Sequence, residues 1–176
     1  MQETLESFPH NLPTLVLSID DLYLPHDKQE ELAKAHPNNP LVQHRGQPST
    51  HDLDLGRKVF QDLAFRKENV KIPSYDKSAF NGAGDQKPEE EWQTVNKDAS
   101  STIEVIIFEG WCVGFRALSN EQVAAKWRDA NSDWEKNGDD YKGQLGRQNL
   151  SSASFVNNSL KEYDTFTDRF DAFVHM

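Results

Sequence analysis

Two runs of this 176-residue chain are predominantly apolar without alternating, are rich in β-branched residues, and each ends in carboxylates. Residues 14–19 lead into Asp20 and Asp21, and residues 103–108 lead into Glu109 and Gly110. Alternation would mark a strand with one wet face, whereas an unbroken apolar run marks a strand covered on both faces, as in a parallel sheet. A third run, residues 170–175, reads as a further strand. Helical candidates lie between these runs. Residues 29–35 form a short one, 55–65 carry apolar side chains at 55, 59, 60 and 63, and 120–136 carry Val123, Ala124, Trp127 and Trp134. Asn120 is the expected N-cap of the last, with Glu121 in its first turn. Strands ending in acids, with helices between them, describe an open α/β sheet, and such sheets take ligands at the carboxyl ends of their strands.

The remaining connections are long. Segments 36–54 and 71–98 are rich in Pro, Gly, His and Asp, and loops of that length in a compact domain point to function. Segment 131–154 is polar enough to be mobile. Nineteen Lys and Arg against 29 Asp and Glu give a formal charge of −10, which opposes a sequence-independent grip on nucleic acid or an anionic bilayer. No apolar run approaches the roughly 20 residues that cross a membrane. Cys112 is the single cysteine, so no intramolecular disulfide is available, and the polar start lacks the pattern of a signal peptide. A soluble, cytoplasmic chain is the expectation.

Four clusters carry candidate chemistry. In Ser18-Ile19-Asp20-Asp21-Leu22-Tyr23 and in Phe108-Glu109-Gly110-Trp111, a strand delivers a carboxylate to the sheet edge. Two such carboxylates suit Mg²⁺, which takes oxygen ligands together with substrate phosphates, and one of them can accept a proton from an attacking hydroxyl. The same acids equally suit plain structural work, Asp20 and Asp21 as helix caps and Glu109 as the partner of a loop Lys. Arg45-Gly46-Gln47-Pro48-Ser49-Thr50-His51-Asp52 gathers a guanidinium, hydroxyls, an imidazole and a carboxylate, a set that suits a small hydroxylated or carboxylated molecule or, taken alone, a solvated turn. Residues 72–78 and 82–88, containing Tyr75 and Lys77, add basic groups for an anion. The glycines at 82 and 84 lack the strand-turn-helix context of a phosphate loop.

Taken in order, SIDDLYL at 18–24, NPLVQHRGQPSTHD at 39–52, IPSYDKSAFNGAGDQKP at 72–88 and IIFEGWCVGF at 106–115 resemble the D-glycerate 3-kinase-like branch of the phosphoribulokinase, uridine kinase and pantothenate kinase group of P-loop kinases. The resemblance implies ATP-dependent phosphoryl transfer to a hydroxyl of D-glycerate or a similar small hydroxy acid, with Mg²⁺. It implies Asp20 as the carboxylate that orients or deprotonates the acceptor and touches Mg²⁺, and Glu109 as the acid in the Walker B place. Arg45, Thr50, His51 and Asp52 would line the acceptor pocket, and Tyr75 and Lys77 would close it. By charge, Arg45 or Lys77 is the natural partner of the glycerate carboxylate.

The family's loop G-x-x-x-x-G-K-[ST] does not occur in this sequence: 138–146 lacks the Lys-Ser/Thr ending, and 82–87 has the wrong spacing. In the family that loop and its strand precede the run at 14, and an Arg-bearing lid helix and a last strand follow the run at 170. The expectation is therefore a truncated member, residues 1–176 forming a single incomplete domain. Its fold would be a partial P-loop-kinase-like, three-layer αβα parallel sheet lacking the first, P-loop-bearing strand and the last strand. Segments 36–54 and 71–98 would be its acceptor-binding loops, and ATP binding by this chain alone is doubtful. A non-catalytic paralogue that binds a metabolite or a protein accounts for the same sequence, and a metal-dependent hydrolase built on Asp20 and Glu109 is a weaker third reading. Trp127 and Trp134 read as packing residues and Cys112 as a buried filler rather than a reactive thiol.

Overall fold

The computed structural model describes residues 1–175. In chain order it contains α1 (Gln2–Glu6), β1 (Thr14–Ser18), α2 (His26–Ala35), α3 (Leu53–Ala64), β2 (Val70–Ile72), β3 (Tyr75–Asp76), β4 (Asp85–Gln86), β5 (Gln93–Val95), β6 (Val105–Glu109), α4 (Asn120–Asn137), α5 (Leu150–Ser159) and α6 (Asp164–Thr167). Contacts group these residues into two compact units, one of residues 1–27 with 51–113 and one of residues 28–50 with 114–175.

The first unit is a mixed α/β structure. β1 and β6 pair in parallel, Thr14 opposite Val105 through Ser18 opposite Glu109, but they are not covered on both faces as their apolar composition predicts: Val16 is 43% exposed and no residue of β6 is fully buried. Behind them α3 lays down Gly56, Val59 and Leu63, the stripe that the helical period of its sequence implies. Val59 and Leu63 join Leu15, Leu17, Val70, Ile72 and Val95 in one apolar cluster, with Phe60 set edge-on to Phe108 at 5.0 Å between ring centroids. Leu17 is 1% exposed, and each such side chain contributes about 1.5–3 kcal/mol relative to leaving it in water. Two short antiparallel ladders, β2 with β5 and β3 with β4, order the segment that the sequence marked as loop. Ladders of two or three residues are too short to leave a period of two in the sequence.

The second unit is helical. Trp127 of α4 donates its indole N–H to the Gln148 carbonyl at 2.7 Å, and Gly146 packs so closely on the Ala130 carbonyl that a Cβ has no room there. The N-cap of α4 is Ser119, one residue before the expected Asn120. Its hydroxyl accepts from the Gln122 amide at 3.2 Å while the Gln122 side chain accepts from the Ser119 amide at 2.9 Å, a reciprocal capping box that Asn120 is not placed to make. The polar stretch 131–154 is largely helical. α4 continues to Asn137, and Asn149 caps α5 by accepting from the Ser152 amide at 2.7 Å.

The expected strand at 170–175 is not formed. Residues 171–175 are exposed, and β1 and β6 make the one parallel ladder among the described residues. A strand exists through its ladder, and an apolar run with no neighbour to pair with stays irregular. Instead, the Phe173 ring covers Gly114, whose φ of +83° suits glycine. No described helix is long and apolar enough to cross a membrane.

Candidate acceptor site

The parallel register sets Glu109, the last residue of β6, beside Ser18 at the end of β1. A single 3₁₀ turn, Ile19–Leu22, follows β1 at once, started by the Ser18 hydroxyl accepting from the Asp20 amide at 3.3 Å. Asp20 and Asp21 therefore stand within that turn rather than capping a longer helix. Gly110 turns the chain beyond Glu109. The space a Cβ would need there is filled by the Ile19 side chain, so glycine is required by packing between the two strand ends.

Asp20 accepts from the Lys77 ammonium at 2.6 Å. Burial alone would raise its pKa, but the hydrogen bonds from Lys77 and from the Tyr23 hydroxyl, together with the Lys77 charge, outweigh it and hold the carboxyl below the usual range. Asp21 behaves oppositely. It accepts the Tyr75 amide at 3.1 Å, yet burial and the neighbouring charges of Asp20 and Glu109 push its carboxyl above the usual range.

His51 forms the back of this cluster. It is 4% exposed, bridges Tyr23 in an antiparallel pair and stacks on the Tyr23 ring at 4.6 Å, while the Tyr75 ring meets Tyr23 edge-on at 5.4 Å. Burial pushes the His51 pKa down to about 4 against the opposing charge of Asp20, so the imidazole is neutral near pH 7. Asp52 caps α3, accepting from the Leu55 amide at 2.9 Å.

The remaining two expected residues, Arg45 and Thr50, belong to the other unit. Thr50 is 0% exposed, and its hydroxyl accepts from the Gly46 amide at 2.9 Å and donates to the Gln47 carbonyl at 2.7 Å, closing the loop on which half-buried Arg45 sits. The first unit thus brings Asp20, Glu109, His51, Tyr75 and Lys77 to one end of its strand pair, with Asp52 turned to its own helix. Asp21, read from sequence as at most a helix cap, and Tyr23, given no role there, join them. The signal was their adjacency to Asp20 in SIDDLYL.

The donor set bears on magnesium. Asp20 and Glu109 stand at neighbouring strand ends, and the field of both reaches Asp21. Among the described residues no group of three or more His, Cys, Asp or Glu side chains is arranged to hold a metal. Two carboxylates still fit Mg²⁺, which commonly takes one or two from protein and completes its shell with phosphate oxygens and water. Cys112 suits no nucleophilic role: it is buried, and desolvation pushes its thiol up to about 11.

A parallel strand pair with acids at its carboxyl ends and helices around it is the arrangement of a P-loop-kinase-like α/β fold with a partial sheet. No protein-family model matches the chain. It is 38% identical over 170 residues to the kinase mug58 of Schizosaccharomyces pombe, covering 94% of this chain and 54% of that one. It is 39% identical over 112 residues to the chloroplastic D-glycerate 3-kinase of Arabidopsis thaliana, covering 62% of this chain and 24% of the relative. The solved D-glycerate 3-kinase of Cryptococcus neoformans var. grubii matches with a TM-score of 0.80 at 33% identity, over 98% of this chain and 56% of that one. The chain is a homologue of kinases that include D-glycerate 3-kinase, and it spans about half the length of mug58 and of the solved structure.

Proposed function

We propose that this chain carries the acceptor side of an ATP-dependent kinase that phosphorylates a hydroxyl of D-glycerate or a similarly small hydroxy acid. The observation that carries this reading is the Lys77–Asp20 contact of 2.6 Å at the carboxyl ends of two parallel strands. It puts a proton acceptor and a cation side by side. A hydroxy acid presents the matching pair, a hydroxyl to lose a proton and a carboxylate to meet a positive charge. Asp20 takes the hydroxyl proton, and Lys77 meets the carboxylate. Neutral His51 and Tyr75 supply a wall that adds no charge, while Asp52 caps the helix that begins beside it. Asp20 and Glu109 would hold Mg²⁺, which when bound neutralises charge on the transferring phosphate. The site works in the cytoplasm on a small soluble substrate.

These 176 residues contain no G-x-x-x-x-G-K-[ST], so the chain by itself binds the acceptor and does not turn over ATP. That absence also favours a second reading, a non-catalytic module that binds a metabolite. Isothermal titration of the purified chain with D-glycerate and glycerol, beside a coupled assay with Mg-ATP, tests both. Acceptor binding that prefers glycerate and is lost in Lys77→Met, with no turnover, is the expected result. Turnover by this chain at a rate near that of a complete D-glycerate 3-kinase would refute the claim about ATP. Equal affinity for glycerate and glycerol would refute the acceptor assignment.

A further inference from the structure

The hairpin of β3 and β4 is tied to the turn after β1 at several points. On its returning strand, Gln86 donates its amide to the Tyr23 carbonyl at 3.1 Å, and Asp85 accepts from the His26 backbone at 2.8 Å. At its tip, the Phe80 ring stacks on His26 at 3.8 Å between centroids, with positive φ at Phe80, Asn81 and Gly82. Lys77 follows its outgoing strand directly, and on that strand Tyr75 is held by two contacts of different kinds: its ring edge-on to Tyr23, and its backbone N–H donated to the Asp21 carboxylate at 3.1 Å. An edge-on ring contact tolerates sliding by a fraction of an ångström. A hydrogen bond to a carboxylate does not, because it weakens steeply with distance and angle. Lys77 is two residues beyond that fixed point, and its ammonium closes on Asp20, the neighbour of Asp21 in sequence. The two adjacent aspartates therefore divide the work, one holding the hairpin backbone and the other meeting its lysine.

We propose that Asp21 is a positioning residue: by accepting the Tyr75 backbone N–H it sets the register at which Lys77 reaches Asp20, and so makes the site prefer an acceptor with a carboxylate next to the reacting hydroxyl. The second half rests on the acceptor reading given above, whereas the first half concerns the ligand-free protein. Removing the acceptor oxygen lets the outgoing strand shift while the returning strand stays tied. Lys77 then loses its fixed place beside Asp20, although every group that would touch substrate is still present. Asparagine at position 21 keeps an acceptor oxygen and preserves the register without the charge.

The test uses the ¹⁵N-labelled 176-residue chain with Asp21→Ala and Asp21→Asn, and Asp20→Asn as a reference. In Asp21→Ala the Tyr75 amide is expected to exchange with solvent about tenfold faster, the effect of losing one hydrogen bond of ordinary net strength. The Lys77 ammonium resonance is expected to move to its position in Asp20→Asn, with the amides of β1 unchanged as the sign of an intact fold. Asp21→Asn is expected to match wild type in both signals, and glycerate preference over glycerol, measured by titration, is expected to fall about tenfold in Asp21→Ala alone. A Lys77 resonance that stays at its wild-type position in Asp21→Ala overturns the proposal. An Asp21→Asn variant in which the Tyr75 and Lys77 signals both shift also overturns it, because charge rather than the acceptor oxygen would then be at work; this arm decides if Asp21→Ala does not fold. A wild-type chain that shows no glycerate preference removes the acceptor reading while leaving the two resonance signals to judge Asp21.

Discussion

Burial turns His51 from a ring that would titrate near 6.5 into one held neutral down to about 4, and the consequence is visible in stability. The unfolded chain takes up a proton at this ring as pH falls through 6.5, and the folded chain refuses it until about 4. Stability is therefore present in full above 6.5, falls between 6.5 and 4, and is level below that window as far as this group is concerned. The whole effect is on the order of 3 kcal/mol at the usual 1.36 kcal/mol per unit. Urea unfolding of wild type and His51→Gln at pH 7.5 and pH 4.5 checks it, since the common carboxylate contributions largely cancel in the difference. Wild type is expected to lose more stability than the variant over that span, and equal losses would contradict the buried neutral ring. At this scale the sequence named residues but not their engagements. His51 and Asp52 are neighbours, yet one lies under Tyr23 and the other faces its own helix, because one is within a bridge and the other at a cap.

The elements divide into those that announce themselves and those that do not. α3 and α4 were readable from apolar residues at helical spacing, as 55, 59, 60 and 63 in α3, and β1 and β6 from their apolar runs. The β2–β5 and β3–β4 ladders were not, since strands of two or three residues are too short to leave a pattern in the sequence. The meeting of β1 and β6 yields a direct prediction. Gly110→Ala drives a methyl into Ile19 and is expected to cost about 1–3 kcal/mol, the range for overfilling a packed site. Pairing it with Ile19→Ala removes the obstructing atoms, so the double variant should be more stable than the sum of the two single losses implies, as measured by a double-mutant cycle in urea. Strict additivity would mean that the glycine is there for another reason. At α4 the cap can be tested the same way. Ser119→Ala is expected to cost about 1 kcal/mol, whereas Asn120→Ala changes stability by a few tenths, and a reversal of that order would restore Asn120 as the cap.

Across the whole molecule, charge is the dominant long-range property. Ten more negative than positive groups act through water, and local ion pairs such as Lys58–Asp62 at 3.2 Å and Lys28–Glu31 at 2.9 Å are exposed pairs worth little each. Repulsion among the excess acids outweighs them at low ionic strength, where screening reaches only beyond about 30 Å, and fades as the Debye length shrinks toward 10 Å. The melting temperature is therefore expected to rise by a few degrees between about 10 mM and 100 mM sodium chloride. A fall over that range would show that surface pairs, not the excess acids, dominate. Sequence alone determined the strand pair, its acidic ends, the helix stripe and the motif order that marks a kinase homologue, because these are local patterns or fixed spacings along the chain. Only the tertiary structure decided that 170–175 forms no strand, that Asp21 holds the Tyr75 amide and that Lys77 meets Asp20 from 57 residues away. A contact across that separation depends on where a whole hairpin is tied down, and no single stretch of sequence carries that information.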